Sequence, residues 1–283
     1  MKSTVEVYCG MDWSDYEKEV HKECHRAFYG ANIEFNIHIC GIHSRRKRQI
    51  DILIKDIEGR LYIVDAKNYN KKIDIKTVES FIGMVKDVNA EYGIIVSEKG
   101  FTKSAINRAH YGEDNIEVDI LSLNELKQFQ ATCAIPYMGH NGAVVNAPFC
   151  WIIDGTNRPN MVATMYPRGL SLEEAAQRKE WAYLNFWTKD GSIDSTDKLI
   201  HFQNQLLINE NKDGIISVSC DEGIVIRSYI SQKYPTEEIT LFKEFNEFIL
   251  FIVLFTPDNV KHRNIKKIKQ LLRNAVPITI NQT

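Results

Sequence analysis

Several features that would sort this chain quickly are missing from it. Its six cysteines, Cys9, Cys24, Cys40, Cys133, Cys150 and Cys220, include no C-x-x-C pair. They read as reduced thiols of a cytoplasmic protein, most of them simply buried. The opening residues, MKSTVEVYCGMDW, lack the long apolar core of a signal peptide. Phe248 to Phe255 is very apolar, but so short a run cannot span a bilayer as a helix and reads as a fully buried strand. There is no marked charge excess. A formal net charge of −2 says nothing about a polyanionic partner, so any nucleic-acid footprint must be local. Internal repeats and low-complexity tracts are absent. What remains is an ordinary globular composition over 283 residues, long enough for two domains and at least one sizeable core.

Within that plain background, Arg48 to Lys67, RQIDILIKDIEGRLYIVDAK, concentrates charge on a hydrophobic hairpin. Gln49 to Ile54 alternates polar and apolar residues, Asp56-Ile57-Glu58-Gly59 supplies a turn, and Leu61 to Val64 is a buried-strand run ending on Asp65-Ala66-Lys67. Strand side chains repeat every two residues, so Asp65 and Lys67 share a face, and the hairpin brings Asp51 near it. Two carboxylates and a lysine at such a place are costly to build for stability alone. A divalent cation would offset the repulsion between the carboxylates.

The elements around the hairpin follow from periodicity. Ser14 to Tyr29 predicts a helix capped by Ser14 or Asp15, with Glu17 in its first turn. Ile33 to Ile42 predicts a strand, and His43 to Arg48 a short basic loop. After Lys67, Asp74 caps a helix carrying Ile75, Val78, Ile82, Val85 and Val88. Tyr92 to Ser97 predicts a strand, Thr102 starts a helix to about Arg108, Ile116 to Leu121 predicts a strand, and Ser122 with Glu125 forms a capping box for a helix to about Gln130. That order implies an α/β mixed sheet with helices on both faces. The expected organisation is a first domain over 1–130, a linker over 131–148, and a second α+β domain over 149–283. In that second part, strands are expected at Trp151 to Ile153 and Gly214 to Ser219. Helices are expected at Leu172 to Trp187, Glu238 to about Phe245, and Lys261 to Arg273.

The spacing of Asp51, Asp65 and Lys67 suits phosphodiester hydrolysis. Asp51 and Asp65, with the carbonyl of Ala66, would hold one Mg²⁺ (or Mn²⁺), a hard cation that prefers oxygen donors. Such an ion polarises a phosphate oxygen and lowers the pKa of its water. Lys67 would orient the attacking water or offset growing negative charge; it is too basic for a good general base unless its pKa is depressed. Glu17 is a candidate third carboxylate. Arg45, Arg46, Lys47 and Arg48 before Asp51, and Lys71 and Lys72 after Lys67, flank the site where phosphates would run.

Taken together, Tyr16-Glu17, Arg48-Gln49-Ile50-Asp51, Val64-Asp65-Ala66-Lys67, the helix from Asp74, and YGIIVS followed by GFTKSA resemble the PD-(D/E)xK nuclease superfamily, in its Mrr-like restriction endonuclease branch, over about residues 13–130. The resemblance implies a restriction-endonuclease-like fold and a metal-dependent DNA endonuclease of prokaryotic restriction or defence. It makes Asp51 and Asp65 metal ligands, Lys67 the catalytic lysine and Glu17 an auxiliary acid, and it leaves Gln49 as a supporting polar group. Many relatives carry Glu or Gln where this chain has Asp65.

Simpler readings stand beside these. The charged trio can be a salt-bridge cluster at a hairpin end, Glu17 can merely complement a helix dipole, and the basic residues can be a solvated loop. Tyr69 can stack on a base or pack a turn. Zinc at His21, Cys24 and His25, or at His38, Cys40 and His43, matches no common structural spacing. Two other functions remain in view: a nuclease-like DNA-binding module without useful catalysis, and an RNA-cleaving effector answering to a signal. A homodimer is expected because a double-strand cut generally needs two active sites. The second domain is expected to serve target recognition, dimerisation or control, through a protein or small-molecule regulator.

Overall fold

A computed structural model describes residues 12–56, 59–110, 116–127, 133–210, 212–232 and 236–280. Cys9, the turn residues Ile57 and Glu58, and the expected helix end at 128–130 lie outside the described residues. Chain contacts divide the protein into two compact units, Met1–Gln130 and Ala131–Thr283.

The first unit runs α1 (Trp13–Ala27), β1 (Asn32–Cys40), β2 (Lys47–Lys55), β3 (Leu61–Lys67), α2 (Ile75–Asp87), β4 (Tyr92–Ser97), α3 (Lys103–His110), β5 (Glu117–Ser122) and α4 (Leu123–Lys127). The strands form one sheet in chain order, antiparallel from β1 to β3 and parallel from β3 to β5. This is the mixed α/β sheet that the sequence predicts. The strand-to-parallel-strand steps need crossovers, which α2 and α3 supply. Asp74 caps α2 by accepting from the Thr77 N–H at 3.0 Å. The Ser122–Glu125 capping box is present in both directions. Ile63 and Ile95 of the sheet pack with Val78, Phe81, Ile82 and Val85 of α2 and with Ala105 and Ala109 of α3.

Three local expectations change. Asp12, rather than Ser14 or Asp15, caps α1, its side chain accepting from the Trp13 N–H at 2.7 Å. Glu17 therefore stands in the second turn, where the helix dipole no longer explains it. Lys47 and Arg48 belong to β2 rather than to a basic loop. The loop before them is pinned by Asp87, which accepts from the His43 and Ser44 N–H groups, the Ser44 hydroxyl and Arg48 Nε. Gly41 is required there, since a Cβ would lie 2.2 Å from Asp87 Oδ2.

The second unit holds β6 (Cys133–Ala134), β7 (Tyr137–Met138), β8 (Asn141–Asn146), β9 (Trp151–Asp154), β10 (Ala163–Pro167), α5 (Leu172–Gln177), β11 (Trp181–Thr188), α6 (Thr196–Glu210), β12 (Ile215–Asp221), β13 (Ile224–Ile230), β14 (Glu238–Glu244), β15 (Phe248–Phe255), α7 (Lys261–Asn274) and β16 (Val276–Thr279). An antiparallel seven-stranded sheet runs β12-β13-β14-β15-β11-β10-β9, and a smaller one runs β16-β8-β6 with β7 beside β8. β15 explains its own composition. Phe248, Leu250, Ile252 and Leu254 pack on the side of Ile268, Leu271 and Leu272 from α7. Ile249, Phe251 and Val253 pack on the other side with Leu199 and Ile200 from α6. A central strand covered on both faces must be apolar at every position.

Here the sequence reading needs more correction. The helix expected over Leu172 to Trp187 ends at Gln177, and Trp181–Thr188 is a strand, drawn into the sheet by eight register pairs with β15. Its Ser171 capping box set the start correctly, but no Gly or Pro marked the stop. Glu238–Glu244 is a strand rather than a helix, paired on both sides. The stretch expected as a linker contains β6, β7 and β8, and β8 is paired with β16 from the far end of the chain. Cys24 and Cys150 are buried, but Cys40, Cys133 and Cys220 are exposed, so most of the described cysteines are not core residues. Among the described residues, no helix is long and apolar enough to cross a membrane.

Candidate active site

The β2–β3 ladder is paired from Lys55–Leu61 to Ile52–Val64. One further step of that register sets Asp51 across from Asp65. There the ladder gives way to a side chain: the Ala66 N–H donates to Asp51 Oδ2 at 3.0 Å. This bond fixes one oxygen of Asp51. Lys67, two residues from Asp65 on the same strand and therefore on the same face, places Nζ 2.7 Å from Asp65 Oδ1.

Asp65 is 6 % exposed, between the buried Val64 and Ala66. Burial pushes its carboxyl up to about 7; Lys67 works against that shift, and Asp51, within hydrogen-bonding reach, adds to it. Asp65 therefore keeps its proton well above the usual carboxylate range. Burial alone would lower Lys67, but the Asp65 charge and hydrogen bond outweigh it, and its pKa is raised. Lys67 is thus held as a cation. Glu17 is also raised, by burial first and then by the Asp51 charge, against a hydrogen bond from the Trp13 side chain and the charge of Lys67. α1 brings Glu17 within electrostatic range of the hairpin.

All four sequence-predicted catalytic residues, Glu17, Asp51, Asp65 and Lys67, line one cleft of about 770 Å³. Arg48 and Gln49 line it too, although Arg48 Nε is also bound to Asp87 at 2.6 Å. Gln49 Nε2 donates to Asn36 Oδ1 at 3.1 Å. Arg45, Arg46 and Lys47 are exposed outside the lining, as are Lys71 and Lys72.

The cleft has members that the sequence reading missed. Trp13 stands at its edge, 43 % exposed, its ring centroid 6.1 Å from that of Tyr69. Lys67 Nζ lies 5.9 Å from the Tyr69 centroid. Tyr69 therefore faces the cleft instead of only packing a turn. α2 adds Lys76, Ser80 and Met84. Their spacing of four is the signal that could have found them: they form one stripe of the helix that follows the Asp-x-Lys strand.

The donor set suits a hard divalent cation. Two carboxylates held against each other, one of them buried with its pKa raised, are the arrangement that a divalent charge relieves. No group of three or more His, Cys, Asp or Glu side chains gathers as a metal cluster among the described residues, at the zinc-like histidine and cysteine positions or elsewhere. Glu17, Asp51 and Asp65 are thus not gathered into a three-carboxylate site. His21 and His25 instead contact each other, Nε2 to Nε2 at 3.2 Å.

Residues 10–129 match the family model Mrr_cat, described as restriction endonuclease. No curated protein matches. Among solved structures, the chain is similar to a protein of unknown function, AF1548, at 16 % identity over 37 % of this chain and 57 % of that one, with a TM-score of 0.32. It is similar to protein VC1899 from Vibrio cholerae at 18 % identity, over 40 % of this chain and 31 % of that one, with a TM-score of 0.29. It is also similar to the cyanobacterial PsbP protein (CyanoP) from Synechocystis sp. PCC 6803 at 10 % identity, over 50 % of this chain and 94 % of that one, with a TM-score of 0.32. The matches to the first two thus span 57 % and 31 % of those proteins' length.

Proposed function

We propose that this protein is a metal-dependent endonuclease that hydrolyses phosphodiester bonds in DNA, a reading supported by the match of residues 10–129 to the restriction endonuclease family model. The observation that carries the proposal is the convergence of Asp51 and Asp65, with Lys67 on Asp65, at the end of the β2–β3 hairpin. Asp51, Asp65 and the Ala66 carbonyl would hold Mg²⁺ or Mn²⁺, which would supply Lewis acidity at a phosphate oxygen and make a neighbouring water a better nucleophile.

The chain's own residues do the rest. Asp51, oriented by the Ala66 N–H, and Asp65, oriented by Lys67, present oxygens in a fixed arrangement. Lys67, kept charged by Asp65, orients water and offsets the charge that grows on the phosphate as the new bond forms. Its raised pKa argues against a role as general base. Glu17 can accept a proton from the attacking water or hold it by hydrogen bond. Arg48 and Gln49 at the cleft, and Arg45, Arg46, Lys47, Lys71 and Lys72 beside it, are assigned to the phosphate backbone. The restriction-endonuclease match supports a place in prokaryotic restriction or anti-phage defence.

The test incubates the full chain with plasmid, linear duplex, single-stranded DNA and RNA, in Mg²⁺, Mn²⁺ or EDTA, beside Asp65→Ala and Lys67→Ala. Metal-dependent DNA cleavage lost in both variants is expected. Cleavage in EDTA, or cleavage that survives both substitutions, would sink the mechanism. Salt-dependent DNA binding without cleavage would leave a binding module, and cleavage confined to RNA would replace the substrate.

A further inference from the structure

The second unit contains a cavity that the nuclease reading does not use. It measures about 390 Å³, within the size range of small-molecule sites. Strand register builds its floor. Trp181 is paired with Phe255, Phe255 with Glu238, and Glu238 with Tyr229. Four neighbouring strands, β11, β15, β14 and β13, therefore set these side chains in one row on one face. Trp181 and Phe255 stack, with centroids 4.9 Å apart and planes at 21°. It is the face that α6 covers, because Tyr183 and Trp187, of the same parity as Trp181, pack into the cluster holding Leu199 and Ile200. Leu207 and Glu210, from the last turn of α6, line the same cavity.

The electrostatics select the ligand's charge. The carbonyl end of a helix favours positive charge, yet the last turn of α6 has no basic residue and carries Glu210. Glu238 spends Oε1 on Arg227 at 3.0 Å and Thr240 at 3.4 Å. Its Oε2 takes no partner among the described residues. Arg227 in turn is engaged by Gln203, Glu238 and Thr240. Lys179 also borders the cavity; it is exposed, as Glu210 is, so solvent and salt screen both, and the less exposed Glu238 weighs most in the choice of charge. An open carboxylate oxygen, a second carboxylate and an uncompensated helix end thus meet the rings of Trp181, Tyr229 and Phe255. Ring faces attract cations, and carboxylates bind them by charge-assisted hydrogen bonds.

We propose that this cavity binds a small organic cation, with its ammonium or guanidinium group held against the Trp181–Phe255–Glu238–Tyr229 row and facing Glu210 of α6. The site involves no residue of the first unit, so its failure would leave the nuclease reading untouched.

Calorimetric titration of the full chain with choline, arginine and spermidine tests it. The controls are 3,3-dimethyl-1-butanol, the neutral carbon isostere of choline, and AMP, a planar anion. Saturable binding of at least one cation is expected, weakened in Glu210→Gln, an exposed position whose substitution leaves the core intact. Trp181→Ala should weaken it roughly tenfold or more. Where Trp181→Ala fails to fold, Glu210→Gln and Glu238→Gln carry the test. The proposal is overturned if none of the three cations saturates, if the neutral isostere binds as tightly as choline, if AMP binds more tightly than every cation, or if both Glu variants bind as the wild type does.

Discussion

Asp65 is the residue on which most depends, and its environment has a measurable consequence. Its folded pKa, about 7, lies above the roughly 3.9 of an unfolded aspartate. Between those values the folded chain holds a proton that the unfolded chain has released. The stability this group contributes is therefore fully present below about pH 4 and is lost as pH rises through about 7. In EDTA, urea midpoints should fall between pH 5 and pH 8 more steeply for wild type than for Asp65→Asn. Millimolar Mg²⁺ should restore stability at pH 8, since the ligands must be deprotonated to bind it. A slope that Asp65→Asn leaves unchanged would place the titration elsewhere. For Lys67, replacement by Met removes the cation without a donor, and single-turnover cleavage should drop by roughly 10²–10³-fold with DNA affinity in Ca²⁺ little changed. Asp65 and Lys67 were legible because a strand's period of two puts them on one face, and Asp51 because a tight turn folds its strand back beside them. Trp13 was not, because an aromatic in a first helical turn gives no sign of what it will face.

Among the elements, α2 connects fold and site. It packs on the sheet through Val78, Ile82 and Val85, and turns Lys76, Ser80 and Met84 to the cleft. Gly93 on β4 allows the close approach: a Cβ there would meet Phe81 Cε1 at 2.5 Å and Val85 Cγ2 at 2.8 Å. Gly93→Ala must push α2 outward, at a cost of about 1–3 kcal/mol. Because Phe81 also lines the cleft, cleavage by this variant should fall even at temperatures well below its melting point; denaturant titration and initial rates check the two effects separately. The elements of this unit were readable from periodicity and from the caps Asp74, Thr102 and Ser122, whereas the cap of α1 proved to be Asp12 instead of Ser14 or Asp15. β11 and β14 were not, because an aromatic-rich run (β11) and a short mixed one (β14) fit either period until a partner strand chooses one.

For the whole molecule, a net charge of −2 leaves no global attraction to DNA. Affinity must come from a few local cations. The double variant Arg45→Ala, Arg46→Ala should reduce the slope of log affinity against log salt by about 2, near 0.9 per phosphate contact. It should do so without altering cleavage of saturating substrate, since neither residue lines the cleft. Filter binding across a salt series measures this, and an unchanged slope would remove these residues from the interface. The two units each have their own core, so scanning calorimetry should resolve two transitions. Ile252→Ala, in the sheet centre of the second unit, should lower one of them by about 2–5 kcal/mol of stability.

By itself, the sequence determined the order of elements in the first unit, the charged trio at its hairpin and the family that this pattern resembles. Each of these follows from short-range rules of period, cap and spacing. Tertiary structure decided what needs contacts between distant residues. It made Asp87, far along the chain, the anchor of the loop between β1 and β2. It turned an expected linker into strands by pairing β8 with β16. In the second unit it lined up Trp181, Phe255, Glu238 and Tyr229, residues that no sequence spacing relates, because strand register alone brings them side by side. In the first, the Arg48–Lys67 hairpin supplies two close carboxylates and a lysine, but only the packing of α1 and α2 around it makes them the wall of a cleft.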